Sequence, residues 1–364
     1  MTIRVLVVDD SALMRRAITR LIESDPGLEV VGTARDGRDG LAKIARYEPD
    51  VVTLDIEMPV MTGIDALKEI GKMPIHDRPV VLMCSSLTVE GSNEALEAMK
   101  LGAADYFPKD PDTLRPEVAS SDKQGLLAKI HAVGSSRQHR ANTALRSMVA
   151  PTPPCKPRAS ANAPSDIALV CIGSSTGGPP VVEKLLESVP AGFPYPIVVA
   201  QHMPATFTES LSRRLDGSCK IPVRHGVHRT AIEPGVAVIV QGGAHGRVVR
   251  GGGNGVFKLE VGQEPHAAIY RPSVNELFKS ASRIAGAGTL GIMLTGMGDD
   301  GCVGARHVRD AGGAVYTQSA DSCIVYGMPR AVDEAGLSSG CMNPDQLVDF
   351  LADIARPGGN ARVA

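Results

Sequence analysis

The sequence predicts two α/β domains, each built on a doubly wound, mostly parallel sheet, joined by a flexible linker. Three observations carry this expectation. Apolar runs of strand length alternate with helical stripes through residues 1–122 and again through 166–357. Between them, residues 123–165 lose that periodicity apart from a helical pattern over Gln124–Val133, and the Pro/Ala/Ser-rich end of the span carries Pro151, Pro153, Pro154, Pro157 and Pro164. In both halves the reactive residue types follow directly on apolar runs, where a parallel sheet collects its functional groups.

Composition narrows the function classes. With 364 residues, 43% hydrophobic and 21% charged, the chain is long enough for two or three globular domains. Net charge is −2 and tryptophan is absent, so neither a basic nucleic-acid face nor a stacking surface is expected. No apolar run reaches membrane-spanning length, and Met1 to Asp10 reads straight into a strand rather than a signal segment. The seven cysteines form no C-x-x-C pair, which favours reduced thiols in a cytoplasmic protein.

In the first half, Ile3 to Val8 reads as a strand ending at Asp9 and Asp10. Leu13, Met14, Ala17, Ile18, Leu21 and Ile22 then form one helical stripe. Strands are expected at Leu28–Ala34, Val51–Leu54, Pro79–Cys84 and Asp105–Phe107, with a helix over Gly37–Tyr47. Asp9, Asp10 and Asp55 thus sit at strand carboxyl ends. Three carboxylates together repel one another and call for a cation, and hard oxygen ligands favour Mg²⁺. An aspartate beside a metal and a lysine, Lys109, is a plausible phosphoryl acceptor.

These motifs resemble the receiver domain of two-component response regulators, a flavodoxin-like (βα)5 fold. The matching pieces are Val-Val-Asp9-Asp10-Ser-Ala-Leu-Met-Arg, Asp50-Val-Val-Thr-Leu-Asp55-Ile-Glu-Met-Pro59 and Gly102-Ala-Ala-Asp-Tyr-Phe-Pro-Lys109. The resemblance implies that Asp55 is phosphorylated and that Asp9, Asp10, Asp55 and the Glu57 carbonyl hold Mg²⁺. It makes Ser85 and Tyr106 the switch residues and Lys109 a phosphate contact. Asp110 stands where the family usually has proline.

The second half opens with an apolar run, Ile167 to Ile172, then Gly173-Ser-Ser175-Thr-Gly177-Gly, then a helical stripe over Val181–Val189. The Gly-x-Ser-x-Gly frame can perch Ser175 on a sharp strand-to-helix turn beside free helix N–H groups. Taken alone the stretch leaves three readings open: a nucleophile, an anion loop, or a plain glycine turn. Two more strands follow the same rule: Tyr195–Ala200 leads to Gln201 and His202, and Thr289–Leu294 leads to Met297, Asp299 and Asp300. A serine needs a base near neutrality, and that base needs an orienting carboxylate. Spacing does not choose between Asp299 and Asp300. The order Ser, His, Asp disfavours a standard α/β-hydrolase. A glycine-rich hairpin over 242–261 and helices over 206–215, 273–287 and 302–311 complete the expected elements. His225 and His228, beside Pro222 and Gly226, read as loop-like.

This half resembles the catalytic domain of chemotaxis-type protein-glutamate methylesterases. The carrying motifs are Ile172-Gly-Ser-Ser-Thr-Gly-Gly-Pro179, Gln201-His-Met-Pro-Ala-Thr-Phe207, Leu294-Thr-Gly-Met-Gly-Asp-Asp-Gly301 and Ser322-Cys-Ile-Val-Tyr-Gly-Met-Pro329. The resemblance makes Ser175 the nucleophile, His202 the base and Asp300 the acid, with Thr176 and Met297 at the oxyanion. It implies a phosphorylation-activated hydrolase that demethylates glutamate methyl esters on chemoreceptor cytoplasmic domains and deamidates receptor glutamines. A chemotaxis histidine kinase would be the phosphodonor, and the catalytic domain would need no cofactor. Neither nucleic acid nor direct membrane insertion is expected. The competing expectations are an esterase of this family serving another signalling pathway, and a response regulator with a non-catalytic output domain.

Overall fold

The computed structural model describes residues 2–85, 88–109, 125–135, 166–252 and 257–356. The chain divides into two compact units, Met1–Thr152 and Pro153–Ala364.

The first unit has five parallel strands, β1 (Ile3–Val8), β2 (Leu28–Ala34), β3 (Val51–Asp55), β4 (Val80–Ser85) and β5 (Asp105–Pro108), in the order β2-β1-β3-β4-β5. β3 is buried throughout and β1 nearly so, as parallel strands covered on both faces must be, hence their unbroken apolar runs. Four helices fill the crossovers: α1 (Ala12–Glu23), α2 (Gly37–Tyr47), α3 (Gly63–Gly71) and α4 (Val89–Lys100). Ser11, Asp36, Thr62 and Thr88 cap them by accepting backbone N–H groups. Register does the positioning. Val8 pairs with Leu54, so Asp9 and Asp55 leave neighbouring strands side by side.

One expectation is corrected here. Residues 126–135 form a helix, α5, inside the span read as linker. Leu126, Ile130 and Val133 are fully buried, at the spacing of a single helix face. His131 Nε2 lies 2.8 Å from Asp25 Oδ2, and Lys129 Nζ donates to the Tyr106 carbonyl at 2.7 Å. The first domain therefore extends past residue 122. The helix falls on the helical pattern over Gln124–Val133; its burial against the first domain is what the pattern did not show. Residues 136–165 and 357–364 lie outside the described residues.

The second unit has a seven-stranded parallel sheet in the order β15-β14-β13-β6-β7-β10-β8. Its strands are β6 (Leu169–Ser174), β7 (Ile197–Gln201), β8 (Val223–Gly226), β10 (Ala237–Val240), β13 (Thr289–Met293), β14 (Ala314–Gln318) and β15 (Gly340–Met342). The helices are α6 (Gly178–Ser188), α7 (Ala205–Ser218), α8 (Val274–Ala285), α9 (Cys302–Asp310), α10 (Met328–Glu334) and α11 (Pro344–Ile354). A small antiparallel sheet, β11 (His245–Arg250), β12 (Phe257–Gly262) and β9 (Ala231–Ile232), contains the expected hairpin. Its Val248 and Leu259 share a core with Val274, Leu277 and Phe278 of α8.

β8 corrects the loop-like reading of His225. The residue pairs with Ile239 in the sheet, and its Nε2 lies 3.1 Å from Thr208 Oγ1. Cys84, Cys171, Cys219, Cys302 and Cys323 are free thiols, whereas Cys341 is disulfide-bonded, a departure from the expected reduced set. Among the described residues no helix is long and apolar enough to cross a membrane.

Candidate active site and acidic site

β6 lies between β13 and β7, so three strand ends converge. Ser174 closes β6 opposite Gln201 of β7, and Gly173 lies opposite Met293 of β13. Ser175 follows immediately and is nearly buried, at 8% exposure. The turn needs glycine for two reasons. Gly177 has φ +76, and a Cβ there would lie 2.5 Å from Ile324 Cβ. Gly296 lets β13's loop pass Ser175, because its Cβ would lie 2.7 Å from Ser175 Cβ. α6 then starts at Gly178, giving a strand–turn–helix with the serine at its apex.

His202 leaves β7 beside this turn, its N–H donating to the Ser174 carbonyl at 3.0 Å. Its Nε2 lies 2.9 Å from Asp300 Oδ2. Asp300 is buried and Asp299 is exposed, so burial separates the two neighbours that spacing left equivalent. Four donors surround the Asp300 carboxylate: His202 Nε2, the Val274 N–H (2.7 Å), the Asn275 N–H (3.1 Å) and Ser273 Oγ (2.9 Å). Burial alone would raise this carboxyl, but His202 and the two backbone N–H groups outweigh it and hold it below its ordinary range. Ser273, Val274 and Asn275 thus grip the acid at the start of α8. With Nε2 engaged, Nδ1 is the nitrogen left to take a proton. It is buried and makes no hydrogen bond among the described residues. A nucleophile–base bond often tightens only when substrate is present.

Three further residues had no role in the sequence reading. Tyr270 stacks on His202, with ring centroids 4.4 Å apart and planes 6° from parallel. Thr295 Oγ1 donates to the Thr176 carbonyl at 3.0 Å and accepts the Val325 N–H at 3.1 Å, tying the serine turn to the 319–327 loop. Gln201 Nε2 donates to the Ser175 carbonyl at 3.1 Å. Gln201 opens the Gln201–Phe207 motif and Thr295 lies within Leu294–Gly301, but neither motif gave them a role. Met297 follows Gly296 on the loop that passes Ser175.

In the first unit, Asp9, Asp10 and Asp55 each offer a carboxylate oxygen within 4.8 Å of the others. Lys109 Nζ lies 2.8 Å from Asp9 Oδ2 and 2.5 Å from Asp55 Oδ2. One ammonium faces three carboxylates, a donor set with charge to spare for a divalent cation. Burial pushes Asp55 up to about 6, with Asp9 adding to the effect and Lys109 only partly offsetting it. Burial also acts against charge on Lys109, but its two carboxylate partners keep it above its ordinary value. Glu57 and Met58 line the same cleft of about 630 Å³. Tyr106 is buried on β5, and Ser85 ends β4 opposite Pro108, next to Lys109.

Comparison with known proteins identifies both domains. The CheB methylesterase family matches residues 170–351, and the response regulator receiver domain matches 5–118. A protein-glutamate methylesterase/protein-glutamine glutaminase of Oleidesulfovibrio alaskensis is 44% identical, over 96% of this chain and 98% of its own. One from Lawsonia intracellularis is 40% identical over the same shares. A third, from Nitratidesulfovibrio vulgaris, is 42% identical over 96% of each chain. Matched over nearly its whole length, the chain belongs to the CheB-type protein-glutamate methylesterase/protein-glutamine glutaminase family, with a receiver domain and a methylesterase domain.

Proposed function

We propose that the second domain hydrolyses glutamate γ-methyl esters, and deamidates glutamines, on the cytoplasmic domains of chemoreceptors by acyl transfer through Ser175. The observation that carries the mechanism is the His202–Asp300 contact at 2.9 Å beside the strand end that bears Ser175. Ser175 Oγ attacks the ester carbonyl carbon as His202 Nδ1 takes its proton. The Thr176 N–H and the Met297 loop receive the oxyanion. His202 returns the proton to the leaving methoxide, and methanol departs. Water then attacks the acyl-enzyme with the same base, freeing the glutamate and Ser175. A glutamine side chain follows the same course with ammonia leaving. Asp300, ionised below the ordinary carboxylate range, favours the imidazolium that forms.

The first domain is the switch. Asp55 accepts a phosphoryl group from a chemotaxis histidine kinase, with Lys109 beside it. Mg²⁺ would be held by Asp9, Asp10, Asp55 and the Glu57 carbonyl, where it supplies charge neutralisation for phosphoryl transfer. Ser85 and Tyr106 respond to the new charge. The deciding experiment is methanol release from methylated receptors, with and without a small phosphodonor. Release that needs Ser175 and rises with phosphodonor only while Asp55 is intact is the expected result. Full activity in Ser175→Ala would overturn the reading.

A further inference from the structure

We infer that Gln201 is a positioning residue that sets the direction of the Thr176 N–H. The inference rests on the reading above, in which that N–H receives the oxyanion. Gln201 ends β7, one residue before His202, and is 1% exposed. Its Nε2 donates to the Ser175 carbonyl at 3.1 Å, and the Gly178 N–H donates to the same oxygen at 2.8 Å. That carbonyl and the Thr176 N–H belong to a single planar peptide unit and point in opposite directions. Two donors on the oxygen therefore hold the N–H the other way. The next peptide is held too, by Thr295 Oγ1 on the Thr176 carbonyl at 3.0 Å. A flip of the Ser175–Thr176 plane would break both bonds and point a carbonyl where the donor stood.

The remaining polar atom of Gln201 supports a role beyond packing. Its Oε1 is buried without a hydrogen-bond partner, and so is the neighbouring Ser174 Oγ. An amide left half-satisfied in a core costs stability relative to a satisfied or apolar one. An apolar side chain would avoid that cost but offer no donor to the Ser175 carbonyl. The pocket is also shaped to the amide: a Cβ on Gly178 would come 2.9 Å from Oε1 and 1.8 Å from Ser174 Oγ. The Gln201 amide is neutral, so it orients the peptide without placing a charge beside His202.

The test uses the full chain and methylated receptor. Gln201→Met removes the donor and keeps the length. Its kcat for methanol release, per folded molecule, should fall about ten- to a hundredfold, less than the loss for deleting an oxyanion donor outright. KM should stay within about twofold, because the bond acts on the transition state. Gln201→Glu, nearly isosteric, donates only when protonated. Its kcat should fall with rising pH along a limb absent from the wild-type profile. A Gln201→Met enzyme within about threefold of wild-type kcat overturns the inference. So does a Gln201→Glu profile that matches wild type, which also decides the matter if the Met variant does not fold. An active Ser175→Ala would instead sink the underlying reading. An inactive Ser175→Ala beside an unimpaired Gln201→Met would sink only this one.

Discussion

The Asp300 carboxylate that lies 2.9 Å from His202 Nε2 also takes the first backbone N–H groups of α8. One side chain thereby orients the imidazole and caps a helix. The helix in turn keeps the carboxylate ionised, because its N-terminal N–H groups favour negative charge. Asp300→Asn should lower kcat by about ten-thousandfold, on the precedent of the same change in a serine-protease triad. Steady-state methanol release checks it, and a loss under about tenfold would count against the imidazole-orienting role.

The same carboxyl gives a pH signature. Its folded value lies below the ordinary 3.8, so it stabilises the fold above that pH. The contribution fades as pH falls through the lower folded value. Melting curves between about pH 2.5 and 5 should therefore show a steeper acid limb for the wild type than for Asp300→Asn.

Tyr270 lies flat against His202 at 4.4 Å. A ring face attracts a cation by about 1 kcal/mol, so the stack favours the imidazolium formed during attack. Tyr270→Phe should retain near-wild-type kcat, and Tyr270→Ala should lose about fivefold or more. Equal losses in both variants would shift the role from the ring to the hydroxyl.

The carboxylate cluster of the first domain predicts linkage to metal. Millimolar Mg²⁺ should raise its melting temperature in the wild type and much less in Asp9→Ala, since a ligand that binds only the folded state stabilises it. Asp55→Ala should abolish stimulation by phosphodonor while leaving basal esterase activity. Differential scanning calorimetry and the methanol assay separate the two effects.

The helix over residues 126–135 predicts a stability effect outside the expected boundary. Ile130 is fully buried in the first unit. Ile130→Ala should destabilise that unit by about 2–5 kcal/mol, the usual range for such a truncation. An unchanged denaturation midpoint would return the segment to the linker.

Much of the fold was legible because buried parallel strands must be apolar on both faces. Runs such as IRVLVV and LVCIGS, each followed by a polar turn, state their own type and end. β8 was not, since it has only four residues, VRHG, and its middle pair is polar and not buried. The helical pattern over Gln124–Val133 was legible, but its place in the first domain was not: the bonds of Lys129 to the Tyr106 carbonyl and of His131 to Asp25 tie it there. In the site, Ser175, His202 and the acidic pair 299–300 were visible as residue types at strand ends. Tyr270 was not, and Thr295 was visible only as a motif member without a role, because stacking and turn-pinning leave no spacing pattern in a chain.

By itself the sequence determined the two α/β domains, the strand ends, and which residue types wait there. Those depend on local apolar periodicity, which a chain carries in its own order. The motif resemblance singled out Asp300 over Asp299, but only the tertiary structure decided that its carboxylate meets His202 Nε2 and leaves Nδ1 without a bond among the described residues. It also set Gln201 against the Ser175 carbonyl. Such contacts depend on sheet register between strands far apart in sequence, and on which neighbour is buried.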